Sequence, residues 1–531
     1  MNRSPLTFAL PLAALLLAAC AQDDMTDGPA GVAGQGATVD VVPDGKADDY
    51  LSTNGREYDI HGTDRFELPR AADESDADYL LRAAAHAEKR FVAITYFLNS
   101  YVTSKGSHDT NHGYGGFRTT VRQRSIAADD VWVGDDGLVS VKFGTEVAGP
   151  SQLVRELNAE RVGDDLYRFD LALPKMTIEE VEGGRIASKY SNFDPKTLSA
   201  DALTTMSLDL TSSAESVDAF PRYREMMADG VFDVAIVVGG DYNENRWDRR
   251  TARAIYDSLT QDRKLTSPVA RFEDLTLESG PFTGSLETVA GTVRIEVHMV
   301  HPDMAADAPQ RLVEAFKAHA ATRDVVIYDG HAGYDAGYSG VVVTYQPRTA
   351  LSADAFKDLE LPQKPQLFVF NGCKTYSVYP DALYANPNKT AANLDIISTV
   401  NFSWLLEMTR VTGDLLGSLT AVGATDGLHE AHSFARILAD LNRDKSWDVI
   451  YGVHGLDDNP HASPWGDPSL LCTACGHHAD CAGADSLCVS GVCGMACTAD
   501  DGCPDSYSCR AVAYAGVITD HQCVKTTRRC E

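Results

Sequence analysis

Residues 323–340 read RDVVIYDGHAGYDAGYSG, and residues 364–379 read KPQLFVFNGCKTYSVY. Each stretch holds a short apolar run, Val325–Tyr328 and Leu367–Phe370, bounded by polar, Gly or Pro residues. Runs of that length between such punctuation predict buried strands rather than helices. The first leads into Gly330-His331 and the second into Asn371-Gly372-Cys373. In an α/β sheet, ligands and chemistry gather beyond the carboxyl ends of parallel strands. The pattern therefore predicts His331 and Cys373 side by side on one rim, as a thiol nucleophile with an acid/base partner. Gly372 lets the backbone approach a substrate closely. The backbone N–H groups of Ala332 and Cys373 are the expected oxyanion donors.

The surrounding sequence agrees with such a sheet. From Val231 onward apolar strand patterns alternate with helical ones. Phe232–Val238, Gly291–Val300 and Leu394–Val400 read as further strands. Trp247–Leu259, Pro309–Ala320 and Leu428–Leu441 read as helices, the second with Pro in its first turn. Strands alternating with helices predict an α/β fold with a mostly parallel sheet covered on both faces. Right-handed crossovers place the strand ends on one rim.

Ahead of this region, residues 57–221 predict an α+β or mainly β accessory domain. Asp78–Phe91 carries helical spacing. Val92–Phe97, Val131–Val133, Val139–Phe143 and Leu166–Leu171 read as strands, with a hairpin at Asp135-Asp136-Gly137. His108 and His112 sit four apart, but the Gly-rich setting reads as a loop, and no metal site is assigned. Residues 21–56 are poor in large apolar side chains and read as a flexible tether. The apolar run Leu6–Ala19 is too short to span a bilayer and reads as an export signal over residues 1–20. Leu17-Ala18-Ala19-Cys20 resembles a bacterial lipobox, which implies lipidation of Cys20 and tethering at the outer membrane or cell surface.

Cysteine usage divides the chain sharply. Of 12 cysteines, ten lie between Cys472 and Cys530, and Cys373 stands alone between Cys20 and Cys472. Cys475, Cys481, Cys488 and Cys493, then Cys497, Cys503, Cys509 and Cys523, form two similar groups. In an exported chain they predict a small disulfide-rich region over residues 472–531, with connectivity open. Zinc is the rival occupant, prompted by Cys472, Cys475, His477 and His478. The isolation of Cys373 predicts a lone thiol. A formal net charge of −30 excludes nucleic acid as a natural partner, because phosphate binding needs a basic face.

With these residues in view, the stretch from Phe232 to Leu471 resembles the gingipain family of caspase-like cysteine peptidases. Tyr328-Asp-Gly-His331 is similar to that family's Y-T-G-H turn. Ile397-Ser-Thr-Val-Asn-Phe-Ser-Trp404 is similar to its S-T-x-N-x-S-W segment. Trp465-Gly-Asp-Pro-Ser-Leu470 is similar to its closing G-D-P-S-L. The resemblance implies a caspase-like three-layer domain over residues 222–471. It implies endopeptidase action on protein or peptide substrates, with Cys373 as nucleophile and His331 as acid/base. Ser403 and Trp404 would wall the primary specificity pocket, and Asp248 at its floor would select Arg or Lys. No cofactor is required for the chemistry. A structural calcium is compatible with the family. The sequence departs from the pattern at Ala332, where the family has Gly, and at Val238, where a Glu is expected. Asp241, Glu244 and Asp329 are candidates for a third, acidic member. Two other readings stay open: a sortase-like transpeptidase of surface proteins, and an inactive scaffold that binds at the surface.

Overall fold

A computed structural model describes residues 50–104, 117–119, 130–191, 193–213, 216–332, 340–377, 379–405, 407–423, 427–443, 449–456, 458–461, 463–465 and 471; in the tail it describes 475–477, 481, 486–498, 503–504, 507–514 and 517–525. Cys20, His108, His112, Gly333, Gly337 and residues 466–470 lie outside the described residues. Among the described residues no helix is long and apolar enough to cross a membrane.

The chain opens with β1 (Tyr50–Leu51), β2 (Gly55–Phe66) and a long helix, α1 (Asp76–Ser104). Then come β3 (Phe117–Thr119), β4 (Val131–Val133), β5 (Val139–Pro150), β6 (Glu160–Arg161), β7 (Leu166–Pro174) and β8 (Leu203–Ser212). These form a seven-stranded antiparallel sheet in the order β3-β5-β2-β8-β7-β6, with β4 also on β5. The strand expected at Val92–Phe97 is the second half of α1 instead. Phe91, Ile94, Leu98 and Val102 are buried and continue the inward face begun by Ala83 and Ala87. Helical spacing thus overrides a locally β-prone run. Two short pieces of the expected tether are also strands, because β1 and the start of β2 fall within residues 21–56.

The second sheet has eight strands in the order β1-β17-β16-β15-β12-β9-β11-β10. Its members are β9 (Val231–Val238), β10 (Phe282–Thr288), β11 (Gly291–Val300), β12 (Val325–Asp329), β15 (Gln366–Asn371), β16 (Leu394–Thr399) and β17 (Tyr451–His454), completed by β1. The central strands β16, β15, β12, β9 and β11 are parallel. Both margins are antiparallel, β10 on β11 and β17 on β16, with β1 closing the edge on β17. The intervening β13 (Gly340–Tyr345) and β14 (Arg348–Ser352) form a separate hairpin.

Strand alternation sends side chains to two helical layers. Val325, Ile327, Leu367 and Val369 pack in one core with α2 (Trp247–Asp257), α5 (Met408–Leu419) and α6 (Phe434–Leu441). Val326, Tyr328, Phe368 and Phe370 pack in the other with α3 (Gln310–Ala320) and α4 (Tyr379–Tyr384). The mixed α/β fold with helices on both faces is as expected. The helix expected over Leu428–Leu441 begins only at Phe434, because Ser433 just before it is extended and His429 bridges Val422.

The tail is stapled by Cys475–Cys488, Cys481–Cys493, Cys497–Cys509 and Cys503–Cys523. Each group of four pairs first with third and second with fourth. The cysteine clusters that could hold a metal are made of these same residues, whose sulfurs are already bonded to one another. Disulfides, not zinc, therefore occupy the described tail cysteines.

Candidate active site

The rim beyond the parallel strands gathers the predicted residues in sheet order. Ser403 follows β16, Cys373 follows β15, His331 follows β12 and Asp241 follows β9. Asp329 pairs with Asn371 on the last rung between β12 and β15. His331 and Cys373 each lie two residues beyond that rung. The turns are in close contact: a Cβ on Gly372 would come within 2.6 Å of the Ala332 Cβ and 3.0 Å of the Gly330 carbonyl oxygen. Only glycine fits at position 372 without pushing the turns apart.

His331 is buried and its Nε2 lies 3.0 Å from Asp241 Oδ1. The carboxylate can only accept, so Nε2 carries the proton and Nδ1 is the basic nitrogen. Asp241 is itself fixed. Its Oδ1 accepts from the Asn243 backbone and side chain at 3.1 and 2.7 Å, and its Oδ2 accepts from the Trp247 backbone at 3.1 Å. Burial pushes the Asp241 carboxyl upward, but the bonds from His331 and Asn243 outweigh it and hold the group below its ordinary value. Of the candidate acids, Asp241 is thus the one joined to the histidine. Tyr242 and Tyr345 flank the imidazole, with ring centroids 4.9 and 5.1 Å away. Tyr345 comes from the β13–β14 hairpin, and sequence reading had no signal for it. The Tyr328 hydroxyl donates to the His331 carbonyl at 2.5 Å.

Asp329 points away from this pair. It is fully buried, and it accepts from Asn371 Nδ2 at 2.8 Å and from the Thr412 hydroxyl. Tyr451 in turn donates to Asn371 at 2.9 Å. Burial pushes the Asp329 carboxyl up to about 7 despite those bonds.

Cys373 is fully buried and packs with Phe402, Leu405, Met408 and the half-buried Trp247. Its Sγ lies 3.7 Å from the Ser403 carbonyl oxygen. The sulfur is not the lone thiol expected. Cys373 is disulfide-bonded, and its partner lies outside the described residues. Disulfide pairing follows proximity in space, which isolation in sequence does not exclude.

Asp248 also departs from expectation. It is buried, and Arg246 holds both its oxygens, Nε on Oδ1 at 2.9 Å and Nη2 on Oδ2 at 3.2 Å. Arg246 reaches Asp303 as well, at 2.6 Å. A carboxylate neutralised by its own chain offers no open counter-charge to a substrate Arg or Lys. Trp404 is buried in the core with Val411 and Leu415. Ser403 is fully enclosed, and its hydroxyl has no hydrogen-bond partner among the described residues.

No family model matches the chain. No curated protein matches it. Among solved structures, a chain described as "Structure of Protease" shares 13% identity at a TM-score of 0.25. The match covers 57% of this chain and 64% of that one. A TM-score of 0.25 shows neither fold nor activity.

Proposed function

We propose that this chain is an exported cysteine-type endopeptidase whose nucleophile is held in a disulfide until reduced. The observation that carries the reading is the order along the rim, Cys373, His331, Asp241, on three neighbouring strands. Reduction of the Cys373 disulfide by a small dithiol frees the thiol and oxidises the dithiol. His331 Nδ1 then takes the thiol proton, and the thiolate attacks a peptide carbonyl. The N–H groups of Ala332 and Cys373 stabilise the oxyanion. His331 returns the proton to the leaving amine, and water resolves the acyl-enzyme. Asp241 keeps the imidazole in the tautomer this cycle needs. The gingipain-like motifs, the lipid anchor at Cys20 and the outer-membrane or surface location belong to the same proposal. The specificity assignment to Asp248 does not, because Arg246 occupies that carboxylate.

The disulfide at Cys373 favours a second reading, an inactive peptidase scaffold that binds at the surface. Peptide-library cleavage by the full-length protein, with and without a dithiol, separates the two. The peptidase reading expects cleavage only after reduction and its loss in Cys373→Ala. A reduced, folded wild type that cleaves nothing, or a Cys373→Ala variant as active as wild type, refutes it.

A further inference from the structure

The turn that carries Cys373 is fastened on two sides. On its own sheet, the Lys374 N–H donates to the Asn401 carbonyl at 3.0 Å, and the Thr375 N–H donates to the Thr399 hydroxyl at 3.3 Å. The Thr375 hydroxyl donates back to the Phe370 carbonyl at 2.9 Å. One residue later the chain enters the accessory domain's packing. Tyr376 is fully buried in one cluster with Tyr58, Ile60, Phe97 and Leu210. Its hydroxyl donates to a carboxylate oxygen of the buried Glu57 on β2, across 319 residues of sequence. Val400 and Ile450 belong to that same accessory core. The Val400 N–H donates to the Ile450 carbonyl at 2.9 Å, and the Ile450 N–H donates to Asn401 Oδ1 at 2.9 Å. A Cβ on Gly55 would come within 2.6 Å of Ile450 Cγ2, so the start of β2 abuts this segment too. Two apolar side chains would seal the boundary at lower cost than a buried carboxylate and phenol. The polar pair adds direction, because its hydrogen bond forms in one arrangement only.

Resting on the peptidase reading, we propose that Glu57 is a positioning residue that holds the Cys373 turn through Tyr376, which makes the accessory domain a permanent part of the active unit and not a segment removed on maturation. Loss of that domain would strip the cover from Tyr376 and Val400, each three residues from a rim residue, Cys373 or Ser403.

The test uses full-length protein with its disulfides intact and reads hydrogen exchange by mass spectrometry. Glu57→Ala and Tyr376→Phe should each quicken exchange of the Lys374 and Thr375 amides by about tenfold, the factor carried by one lost hydrogen bond of this kind. Exchange in β12 should not change, which separates a loosened turn from a weakened fold. Glu57→Gln keeps an accepting oxygen and should stay near wild type. After reduction, the first two variants should lower kcat by about tenfold at unchanged KM. Val217, between the domains, is 65% exposed, so a protease sequence inserted beside it can be cut. The two halves should then co-elute in size exclusion without denaturant. Halves that separate overturn the proposal. So do turn amides that exchange as in wild type in both variants, a Gln variant as loose as the Ala variant, or unchanged kcat in an enzyme that cleaves. Exchange and co-elution need no peptidase activity. Shifted exchange with joined halves and no cleavage therefore keeps Glu57 as the anchor of the turn and sinks the peptidase reading alone.

Discussion

Replacing Asp329 by Asn should make the protein more stable, and more so as pH rises. The carboxyl is fully buried at the end of β12, where burial pushes it up to about 7. In the unfolded chain it titrates near ~3.9. Between those values the folded state binds the extra proton. Its contribution is therefore fully present at low pH, is lost progressively as pH rises to about 7, and is level beyond. From pH 5 to pH 8 the loss spans about two pH units, or roughly 2–3 kcal/mol at about 1.4 kcal/mol per unit. Asparagine cannot ionise. Its oxygen still accepts from one neighbour, and its Nδ2 can donate to the Thr412 hydroxyl, which rotates to suit. The gap between the variant and wild type should thus widen by roughly 2–3 kcal/mol across this range. At about 2–4 °C per kcal/mol, calorimetry should show the gap in Tm growing by roughly 5–10 °C. Melting curves whose separation is the same at pH 5 and pH 8 would refute the reasoning, because they would mean that Asp329 is ionised in the folded state throughout.

Asp241→Ala should lower kcat of the reduced enzyme by about 10²-fold, since the imidazole loses its orienting carboxylate. Steady-state kinetics across pH checks this, and unchanged kcat removes Asp241 from the site. Asp248→Ala should destabilise the protein by about 1–3 kcal/mol, through loss of the Arg246 bonds, and leave cleavage preference unaltered. Disappearance of an Arg or Lys preference in library profiling would restore Asp248 to the pocket. Tyr50→Ala should cost about 3–5 kcal/mol, because the ring is buried 4.9 Å from the His454 ring and 5.4 Å from the Tyr376 ring. A Tm within 2 °C of wild type would show that β1 contributes little.

The parallel strands were legible because a strand buried on both faces is a continuous apolar run with an abrupt polar end. Val325–Asp329 and Gln366–Asn371 show this, and their ends carry the histidine and the cysteine. The histidine's acid was legible only as one of several candidates. Asp241 stands two residues before Asn243 in a turn, and nothing local separates it from Glu244. The state of Asp248 was not legible, since its partner Arg246 reaches it through a left-handed backbone at the start of α2. Nor was the pairing of Cys373, which depends on what the folded chain brings near. β17 and β1 were missed for a different reason. They are four and two residues long, too short to carry a period.

That last pair gives the fold an order in time. Ser52, just after β1, donates to the Tyr451 carbonyl across a sequence separation of 399 residues. Synthesis runs from the N-terminus, so Tyr50 and Leu51 exist long before the strand that receives them. The slot beside β17 is among the last parts of the sheet that can fill, and contacts between such distant partners form slowly. A chain that stops short of His454 has no β17 to receive β1, which leaves β16 as an unpaired edge open to proteolysis or to another chain. Closure of this edge therefore marks a chain that has been made at least as far as β17.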